Sequence, residues 1–336
     1  MSHKILVTGA AGYIGSNATY LFLQKGYEVV AIDNFSMGNR QALEELQKKF
    51  GEKQLSFYEA DTGKDIPSIL EKESGIEAVV HYAAKCSVSE SMEKPEDYFD
   101  NNTLGTHALL KAIMKAGINK IIFSSTCAVY GNAQYTPLDE NHPINPESPY
   151  GTSKRLTEVM MEWYSKLGRL NFVILRYFNV CGASDDGMIG DSKNPSVHLM
   201  QNVIRGALGI EPFNLTCGKF NTPDGTPIRD FVNVVDLNEA HLAGLEYLLN
   251  GGKSEIINIG TGKGHSVLEI VAEVQKITCV SFEVKSGEAR KGEADKMIAS
   301  IDKAKKILQW EPKRDLTQSV NSLTTWYKAH PHGWDH

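Results

Sequence analysis

The stretch Val7–Ser16 reads VTGAAGYIGS and places glycines at positions 9, 12 and 15. The β-branched run KILVTG predicts a strand, and the amphipathic run GSNATYLFLQKG predicts a helix directly after it. Glycines at such a turn allow a tight bend, close approach of a backbone to pyrophosphate, and close packing of helix on strand. The free N–H groups that open the helix favour phosphates. A glycine-rich turn that binds nothing has the same local pattern, so neighbouring residues must decide.

An acidic residue, Asp33, closes the second predicted strand, YEVVAID. A carboxylate at this position accepts hydrogen bonds from the hydroxyls of an adenosine ribose and repels a 2′-phosphate, so the pattern predicts NAD rather than NADP. Asp61 ends the third predicted strand in YEAD, where an adenine amino group could be read. A plain aspartate at the end of a strand explains Asp61 equally well.

Strand and helix signals alternate through the first half of the chain. The strands are KILVTG, YEVVAID, LSFYEAD, IEAVVHYAA and KIIFSS. This alternation predicts an α/β fold with a doubly wound parallel sheet of the Rossmann type. After NFVILRYFNV the chain becomes rich in turns, and EIINIG then predicts a return to the sheet. We therefore expect an NAD-binding domain over 1–180 plus about 234–262, and a second, smaller C-terminal α/β substrate lobe over about 181–233 plus 263–336.

Composition limits the partners. The net charge of -6 over 336 residues provides no general attraction to nucleic acid. The five cysteines form no CxxC pair, which favours reduced thiols in the cytoplasm over a disulfide framework or a zinc site. No apolar run approaches the roughly 18 residues that cross a membrane. We expect a cytoplasmic protein that binds neither nucleic acid nor membrane, and no metal.

Tyr150 and Lys154 lie four residues apart in SPYGTSK, directly after Pro149. Proline favours the first turn of a helix, and residues four apart are neighbours on a helix surface. The strand KIIFSS delivers Ser124 and Thr126 to its carboxyl end, where ligands bind in open α/β sheets. The same spacing also occurs by chance on ordinary amphipathic helices.

The pair has a chemical use if the tyrosine acts as a base. Lowering a tyrosine pKa from ~10 to ~7 requires roughly 4 kcal/mol of preferential stabilisation of the anion. One ammonium at about 6 Å, in an effective dielectric of ~20, supplies nearly 3 kcal/mol. A nicotinium ring would supply a further share. The lysine and an oxidised cofactor are together sufficient, whereas the lysine alone is not.

These features together resemble the extended short-chain dehydrogenase/reductase superfamily: the GxxGxxG turn, the acidic end of strand two, the Ser/Thr strand end and the YxxxK pair. Within that superfamily the chain is similar to the UDP-glucose 4-epimerase family over nearly its whole length. The similarity is carried by DNFSMGN, YFDNN, FSSTCAVYG, LRYFNVCGA and TPDGTPIRDFVNVVDL.

The resemblance implies an isomerase that interconverts UDP-galactose and UDP-glucose while keeping NAD bound. Tyr150 would remove the proton from the C4 hydroxyl as C4 passes a hydride to NAD, and Thr126 would hydrogen-bond that hydroxyl. The 4-keto sugar would then turn and take the hydride back on its other face. Lys154 would also hold the nicotinamide ribose, and the protein would be a homodimer.

The resemblance further implies two sets of binding residues. The NAD set is Gly9, Gly12, Tyr13, Ile14, Gly15, Asp33, Asn34, Asp61, Tyr82, Ala83, Ala84, Asn101, Ser124, Tyr150, Lys154 and Tyr177. The UDP-sugar set is Thr126, Tyr150, Asn179, His198, Leu199, Arg229, Arg290, Glu293 and Met297. For Arg229, an ion pair with Asp230 or Asp236 is the structural alternative.

Three departures from relatives bear on the reaction and the substrate. Cys127 and Ala128 follow the catalytic threonine where dehydrating relatives carry carboxyl groups, which predicts isomerisation without elimination. Cys217 stands where an aromatic side chain often stacks on uracil. Met297 stands where residue size gates the sugar's 2-substituent, and a flexible methionine leaves both the plain hexose and its N-acetyl form open.

Other functions remain open on the sequence alone. One is a 4-epimerase for a UDP-N-acetylhexosamine or a UDP-pentose, and another is an oxidoreductase that releases NADH. A non-catalytic NAD-binding regulatory protein belongs to a different class. Such a regulator has no need for Thr126, Tyr150 and Lys154 together.

Overall fold

The computed structural model describes residues 3–193, 196, 198–213, 220–282 and 294–334. The strands within these ranges are β1 (Lys4–Thr8), β2 (Glu28–Asp33), β3 (Leu55–Glu59), β4 (Ile76–His81), β5 (Lys120–Ser124), β6 (Asn171–Tyr177), β7 (Asn179–Cys181), β8 (Ile228–Asn233), β9 (Glu255–Ile259), β10 (Gly264–Ser266) and β11 (Lys296–Met297). The α-helices are α1 (Tyr13–Gln24), α2 (Arg40–Phe50), α3 (Ile66–Lys72), α4 (Val88–Glu93), α5 (Pro95–Tyr98), α6 (Gly105–Lys115), α7 (Pro149–Lys166), α8 (Leu199–Ala207), α9 (Val234–Leu249), α10 (Val267–Thr278), α11 (Asp302–Leu308) and α12 (Leu316–Ala329).

Seven strands form the large sheet, in the order β3-β2-β1-β4-β5-β6-β9. The pairings from β3 across to β6 are parallel. The chain moves outward from β1 to β3, then crosses to β4 on the other side of β1, so the strand order reverses between β1 and β4. Ligands bind at such reversals, outside the carboxyl ends of the strands. The predicted doubly wound fold is confirmed.

Buried aliphatic side chains hold the helices to this sheet. Leu6, Val79, Ile121 and Ile174 lie on successive strands, and Leu109 on α6 belongs to the same buried cluster. Near-continuous apolar strands are expected when helices cover both faces of a parallel sheet. Removal of this surface from water is the main stabilising contribution.

The chain divides into two compact units. The first comprises Met1–Gly131, Ile144–Arg176 and Asn238–Ile257, and the second comprises Asn132–Pro143, Tyr177–Leu237 and Asn258–His336. Segment 132–143 falls in the second unit, whereas the sequence placed it with the first. It lies there because Leu138 exchanges backbone hydrogen bonds with Ile298 and Ser300. The assignment of the units to NAD and to UDP-sugar remains a prediction.

The second unit is built around β8. This strand pairs in parallel with β7 and β11, and antiparallel with β10. Helices α8, α10 and α12 pack against one another. Trp326 of α12 is fully buried and donates from its indole nitrogen to the Asp191 carbonyl at 3.0 Å. Within the described ranges, every helix is too short or too polar to span a lipid bilayer.

Candidate active site

The glycine-rich turn joins β1 to α1 at the strand reversal. Gly9 has a φ of 68°, a left-handed conformation that favours glycine. A Cβ at Gly9 would lie 2.5 Å from the backbone nitrogen of Ala83, and one at Gly15 would lie 2.0 Å from the Gly9 carbonyl oxygen. The protein itself therefore requires glycine at both positions.

Gly12 differs from the other two glycines. Its φ is −71°, and a Cβ there would meet only the Gly9 carbonyl, at an ordinary 3.4 Å. Gly12 is also the N-cap of α1 and offers no side-chain cap to the first N–H groups of Tyr13 and Ile14. Folding thus gives no steric reason for glycine at position 12, whereas a pyrophosphate approaching the backbone does.

Asp33 is buried at the end of β2 and braces this turn. Its carboxylate accepts the Ala11 N–H at 2.9 Å and the Phe35 N–H at 2.8 Å. Burial raises the pKa of Asp33, while the backbone donors oppose that rise. Asp33, which is predicted to bind the ribose, therefore also stabilises the glycine turn. Its position at the end of a strand did not indicate this second role.

Other residues of the predicted NAD set follow the strands of the first unit. Tyr82 and Ala84 come directly after β4, and the Tyr82 hydroxyl donates to Asn238 at 3.2 Å. Asn34 accepts hydrogen bonds from Ser36, and Asp61 accepts the N–H of Gly63. These residues lie at or near the carboxyl ends of β2, β3 and β4. Roles in binding NAD remain predictions for them.

Asn101 lies in a π-helical turn, Phe99–Leu104, between α5 and α6. Such turns are rare and frequently occur at functional sites. The amide of Asn101 donates to Asn102, whose own amide donates to the Lys85 carbonyl and to Ser153 of α7. The turn thereby connects the segment after β4 to the helix that carries the tyrosine–lysine pair.

Tyr150 and Lys154 both lie on α7, which begins at Pro149 as predicted. Ser148 caps this helix by accepting the Gly151 N–H at 3.1 Å. Tyr150 is only 7% exposed, and its ring packs edge-to-face against Tyr98, with centroids 6.3 Å apart.

Lys154 is 3% exposed, and its ammonium donates to the Ser124 carbonyl at 2.7 Å. It also lies 4.8 Å from the centre of the Phe123 ring. Burial lowers the pKa of Lys154 to about 8, although the charges of Cys86 and Glu158 oppose this effect. Lys154 in turn helps burial to lower the pKa of His81 to about 3.

The end of β5 carries the predicted hydroxyl residues. Ser124 is hydrogen-bonded through its hydroxyl to the imidazole of His241, at 2.8 Å. Thr126 accepts the Ala128 N–H at 3.1 Å and caps a short 3₁₀ turn, Cys127–Val129. The predicted strand KIIFSS therefore ends one residue earlier, at Ser124, and the Thr126 side chain accepts a backbone N–H of the turn that follows.

Sequence reasoning missed Glu158, which lies one helical turn beyond Lys154 and is fully buried. Its carboxylate accepts hydrogen bonds from Ser125 at 2.6 Å, from Arg155 at 3.1 Å and from both Nε and Nη2 of Arg176. No motif marks this glutamate. A buried carboxylate requires such partners. A glutamate on the buried face of the predicted helix was therefore the available signal of an ionic partner.

Several residues of the predicted UDP-sugar set lie in the second unit. Asn179 begins β7, Arg229 lies on β8, and Met297 ends β11 in register with Arg229. The Arg229 guanidinium donates to the Ile228 carbonyl at 2.9 Å. Asp236, one of its suggested alternative partners, forms an ion pair with Arg314. Asn179 and Arg229 therefore lie in one sheet, with Met297 beside the arginine.

His198 and Leu199 stand at the start of α8. His198 is the N-cap, and burial lowers its pKa. Arg290, Glu293 and Cys217 lie outside the described residues.

The first unit meets the requirements of a dinucleotide. It combines a glycine turn with space at Gly12, a helix N-terminus directly after that turn, a buried carboxylate at the end of β2 and a strand reversal. This combination defines a Rossmann-type dinucleotide-binding protein.

Comparison with known proteins narrows the class. The profile of the NAD dependent epimerase/dehydratase family matches residues 5–260. A UDP-glucose 4-epimerase of Streptococcus mutans is 39% identical over 98% of both chains. A crystal structure of a UDP-glucose 4-epimerase superposes with a TM-score of 0.93 at 36% identity, covering 99% of this chain and all of the other. The Bifidobacterium longum enzyme in complex with NAD+ and UDP gives 0.92 at 32% identity, covering 98% and 100%. The chain belongs to the NAD dependent epimerase/dehydratase family.

Proposed function

We propose that this protein is an NAD-dependent UDP-sugar 4-epimerase that interconverts UDP-galactose and UDP-glucose. The observation that carries the proposal is the hydrogen bond from Lys154 to Ser124. It ties the helix bearing Tyr150 to the strand end that leads into Thr126. The similarity to UDP-glucose 4-epimerases over almost the whole chain supports the same reaction.

NAD would be held by the glycine turn, by Asp33 and by the residues that follow β3 and β4. The space at Gly12 suits the pyrophosphate, and the negative charge of Asp33 favours a free ribose over a phosphorylated one. Lys154 would reach the nicotinamide ribose. When bound, NAD supplies reversible hydride acceptance at the sugar carbon C4.

The chain's own residues move and hold the proton. The phenolic oxygen of Tyr150 accepts the proton of the C4 hydroxyl and later returns it to the 4-keto oxygen. The ammonium of Lys154 stabilises the phenolate, which would otherwise be a weak base at neutral pH. The Thr126 hydroxyl orients the reacting oxygen. Cys127 and Ala128 follow Thr126, so these two positions supply no carboxyl group for elimination.

The UDP-sugar would be bound by residues of the second unit, with Arg229 on the diphosphate, because a guanidinium binds phosphate oxygens in pairs. Asn179, His198 and Leu199 complete this set, together with Arg290 and Glu293 from the sequence. Met297, beside Arg229, would gate the 2-substituent. Its flexible side chain leaves both the plain hexose and its N-acetyl form open as substrates.

A homodimer is the assembly we propose. Helices α4 and α7 contact each other, and they and the segments next to them carry exposed apolar side chains: Val88, Met92, Leu104, Leu156, Trp163 and Leu167. Apolar surface of this kind marks interaction sites. A cytoplasmic location remains the expectation from the cysteine pattern.

The test is direct. Purified protein is incubated with UDP-galactose without added NAD, and the sugar nucleotides are separated over time. Appearance of UDP-glucose without NADH in solution is expected. Stoichiometric NADH would instead indicate an oxidoreductase, and no conversion of UDP-galactose, UDP-N-acetylgalactosamine or UDP-pentose after NAD is added would favour a binding protein.

A further inference from the structure

Glu158 lies where three parts of the first unit meet. It shares α7 with Tyr150 and Lys154, eight and four positions further along the chain. Its carboxylate accepts the Ser125 hydroxyl of the β5 end and two N–H groups of Arg176 on β6. Both Glu158 and Arg176 are almost wholly buried. One side chain thus connects the helix to two neighbouring strands.

Ser125 is the residue through which this connection reaches the candidate site. It lies between Ser124, whose carbonyl accepts the Lys154 ammonium, and Thr126. Its N–H donates to the Leu175 carbonyl of β6 at 2.8 Å, and its hydroxyl donates to Glu158 at 2.6 Å. The segment from Ser124 to Thr126 is therefore held at Ser125 by one hydrogen bond to β6 and one to α7.

The charges of Glu158 and Glu162 are balanced by two arginines, and Glu158 is buried away from water. Arg176 makes a two-point contact with its carboxylate and also donates to the Tyr130 hydroxyl at 3.1 Å. Arg155 donates to Glu158 and to Glu162, so the second arginine is shared between two acids. Removing the acid would leave Arg176 buried without its counter-charge, which is strongly destabilising in other proteins.

Titratable groups on several elements interact electrostatically with Lys154. The charges of Glu158 on α7 and of Cys86, in the segment after β4, favour its ammonium form, and Lys154 disfavours protonation of His81 on β4. Burial keeps His81 neutral, so it contributes no positive charge at physiological pH. Glu158 is a carboxylate whose negative charge favours the ammonium form of Lys154.

We propose that Glu158 is a positioning residue of the proposed reaction: it clamps the β5 end through Ser125 and sets the placement of the Lys154 ammonium relative to Thr126. The inference rests on the proposed epimerase function. Glu158 acts on the reaction through Ser125 and Lys154, and its negative charge favours the ammonium form of the lysine.

The first test removes the hydrogen bond from Ser125 to Glu158 and leaves every charged group with its partner. Ser125→Ala deletes one hydroxyl and leaves Glu158 with both arginines. The kcat for UDP-galactose is expected to fall about tenfold, with KM within about twofold of wild type, because misplacement of a reacting group weakens the chemical step more than binding. A kcat within twofold of wild type would overturn the clamp.

The second test reads the lysine itself. Protein without added substrate carries ¹³C at the lysine Cε atoms, and the Lys154 resonance, assigned with Lys154→Arg, is followed against pH by NMR. In Glu158→Gln the titration midpoint is expected to move down by roughly one pH unit, because a nearby negative charge is lost. Glu162→Gln is the matched control, since it removes an acid from the same helix and the same Arg155, and it should leave the midpoint and kcat unchanged.

The outcomes separate the two claims. A purely structural Glu158 would lower the unfolding temperature of Glu158→Gln and leave the Lys154 midpoint where it is, which would overturn the inference. If Glu158→Gln does not fold, the kcat of Ser125→Ala decides. A wild-type protein that converts no UDP-sugar would overturn the proposed function, whereas the NMR midpoint would still report whether Glu158 controls Lys154.

Discussion

The Lys154 ammonium donates a 2.7 Å hydrogen bond to the carbonyl oxygen of Ser124, and both residues are almost fully buried. A long flexible side chain is thereby held in one geometry at the end of β5. Because the charged group lies away from water, its electrostatic effect on a neighbouring phenolate is less screened than at a surface. This contact turns a four-residue spacing in the sequence into a chemically useful pair.

The rate of epimerisation is expected to fall above about pH 8. Burial lowers the pKa of Lys154 to about 8, so the ammonium predominates below that value and is lost above it. Without the charge, the Tyr150 phenolate loses its main support within the chain. Initial rates from pH 6 to 10, with unfolding temperatures at each pH as the control, test this. A rate that keeps rising to pH 10 would contradict it.

Tyr150→Phe is expected to reduce kcat at least about a hundredfold, the usual contribution of a general base. The phenylalanine keeps the edge contact with Tyr98, so unfolding temperature and NAD content should match wild type. Tyr164→Phe, on the same helix, is the control and should remain active. Comparable activity of Tyr150→Phe and wild type would remove the tyrosine from the mechanism.

Gly12→Ala and Gly15→Ala are expected to fail in different ways. At Gly15 the new methyl group would lie 2.0 Å from the Gly9 carbonyl oxygen, so the protein without NAD should lose stability by about 1–3 kcal/mol or more. At Gly12 the methyl group meets an ordinary contact, so folding should persist while NAD binding weakens. Denaturation of NAD-free protein and calorimetric NAD titration distinguish them. Equal stability losses would contradict the assignment of Gly12 to the cofactor.

Met297→Tyr is expected to suppress activity on UDP-N-acetylgalactosamine more than tenfold relative to UDP-galactose. The larger tyrosine beside Arg229 would fill the space that an acetamido group needs. The plain hexose has no such group, so its turnover should change little. The ratio of kcat/KM for the two substrates measures the effect, with Met188→Tyr as a control on the same unit. An unchanged ratio would place the gate elsewhere.

The sequence predicted those features that depend on local pattern. The hydrophobic periodicity predicted the alternation of strands and helices, and the glycine spacing predicted the turn. Proline geometry predicted that α7 begins at Pro149. Several predicted strands extend too far at their carboxyl ends: IEAVVHYAA runs to Ala84, whereas β4 ends at His81. NFVILRYFNV is divided at Phe178 between β6 of the large sheet and β7 of the small one. Which sheet a strand joins depends on distant partners that a local pattern does not contain.

The contacts that hold the site could not be predicted for the same reason. Ser124 is bonded to His241, 117 positions later in the chain, and Glu158 is bonded to Arg176 on another strand. In the sequence these are an unremarkable histidine and a glutamate on an amphipathic helix. Only the packing of α7 and α9 against β5 and β6 makes them partners.

The measurement that tests the central claim most directly uses UDP-galactose carrying deuterium at C4. If the hydride is taken and returned within one active site, UDP-glucose should form with deuterium retained at C4 and with the configuration there inverted. Deuterium that appears in free NADH, or is replaced by hydrogen from the solvent, would contradict the account.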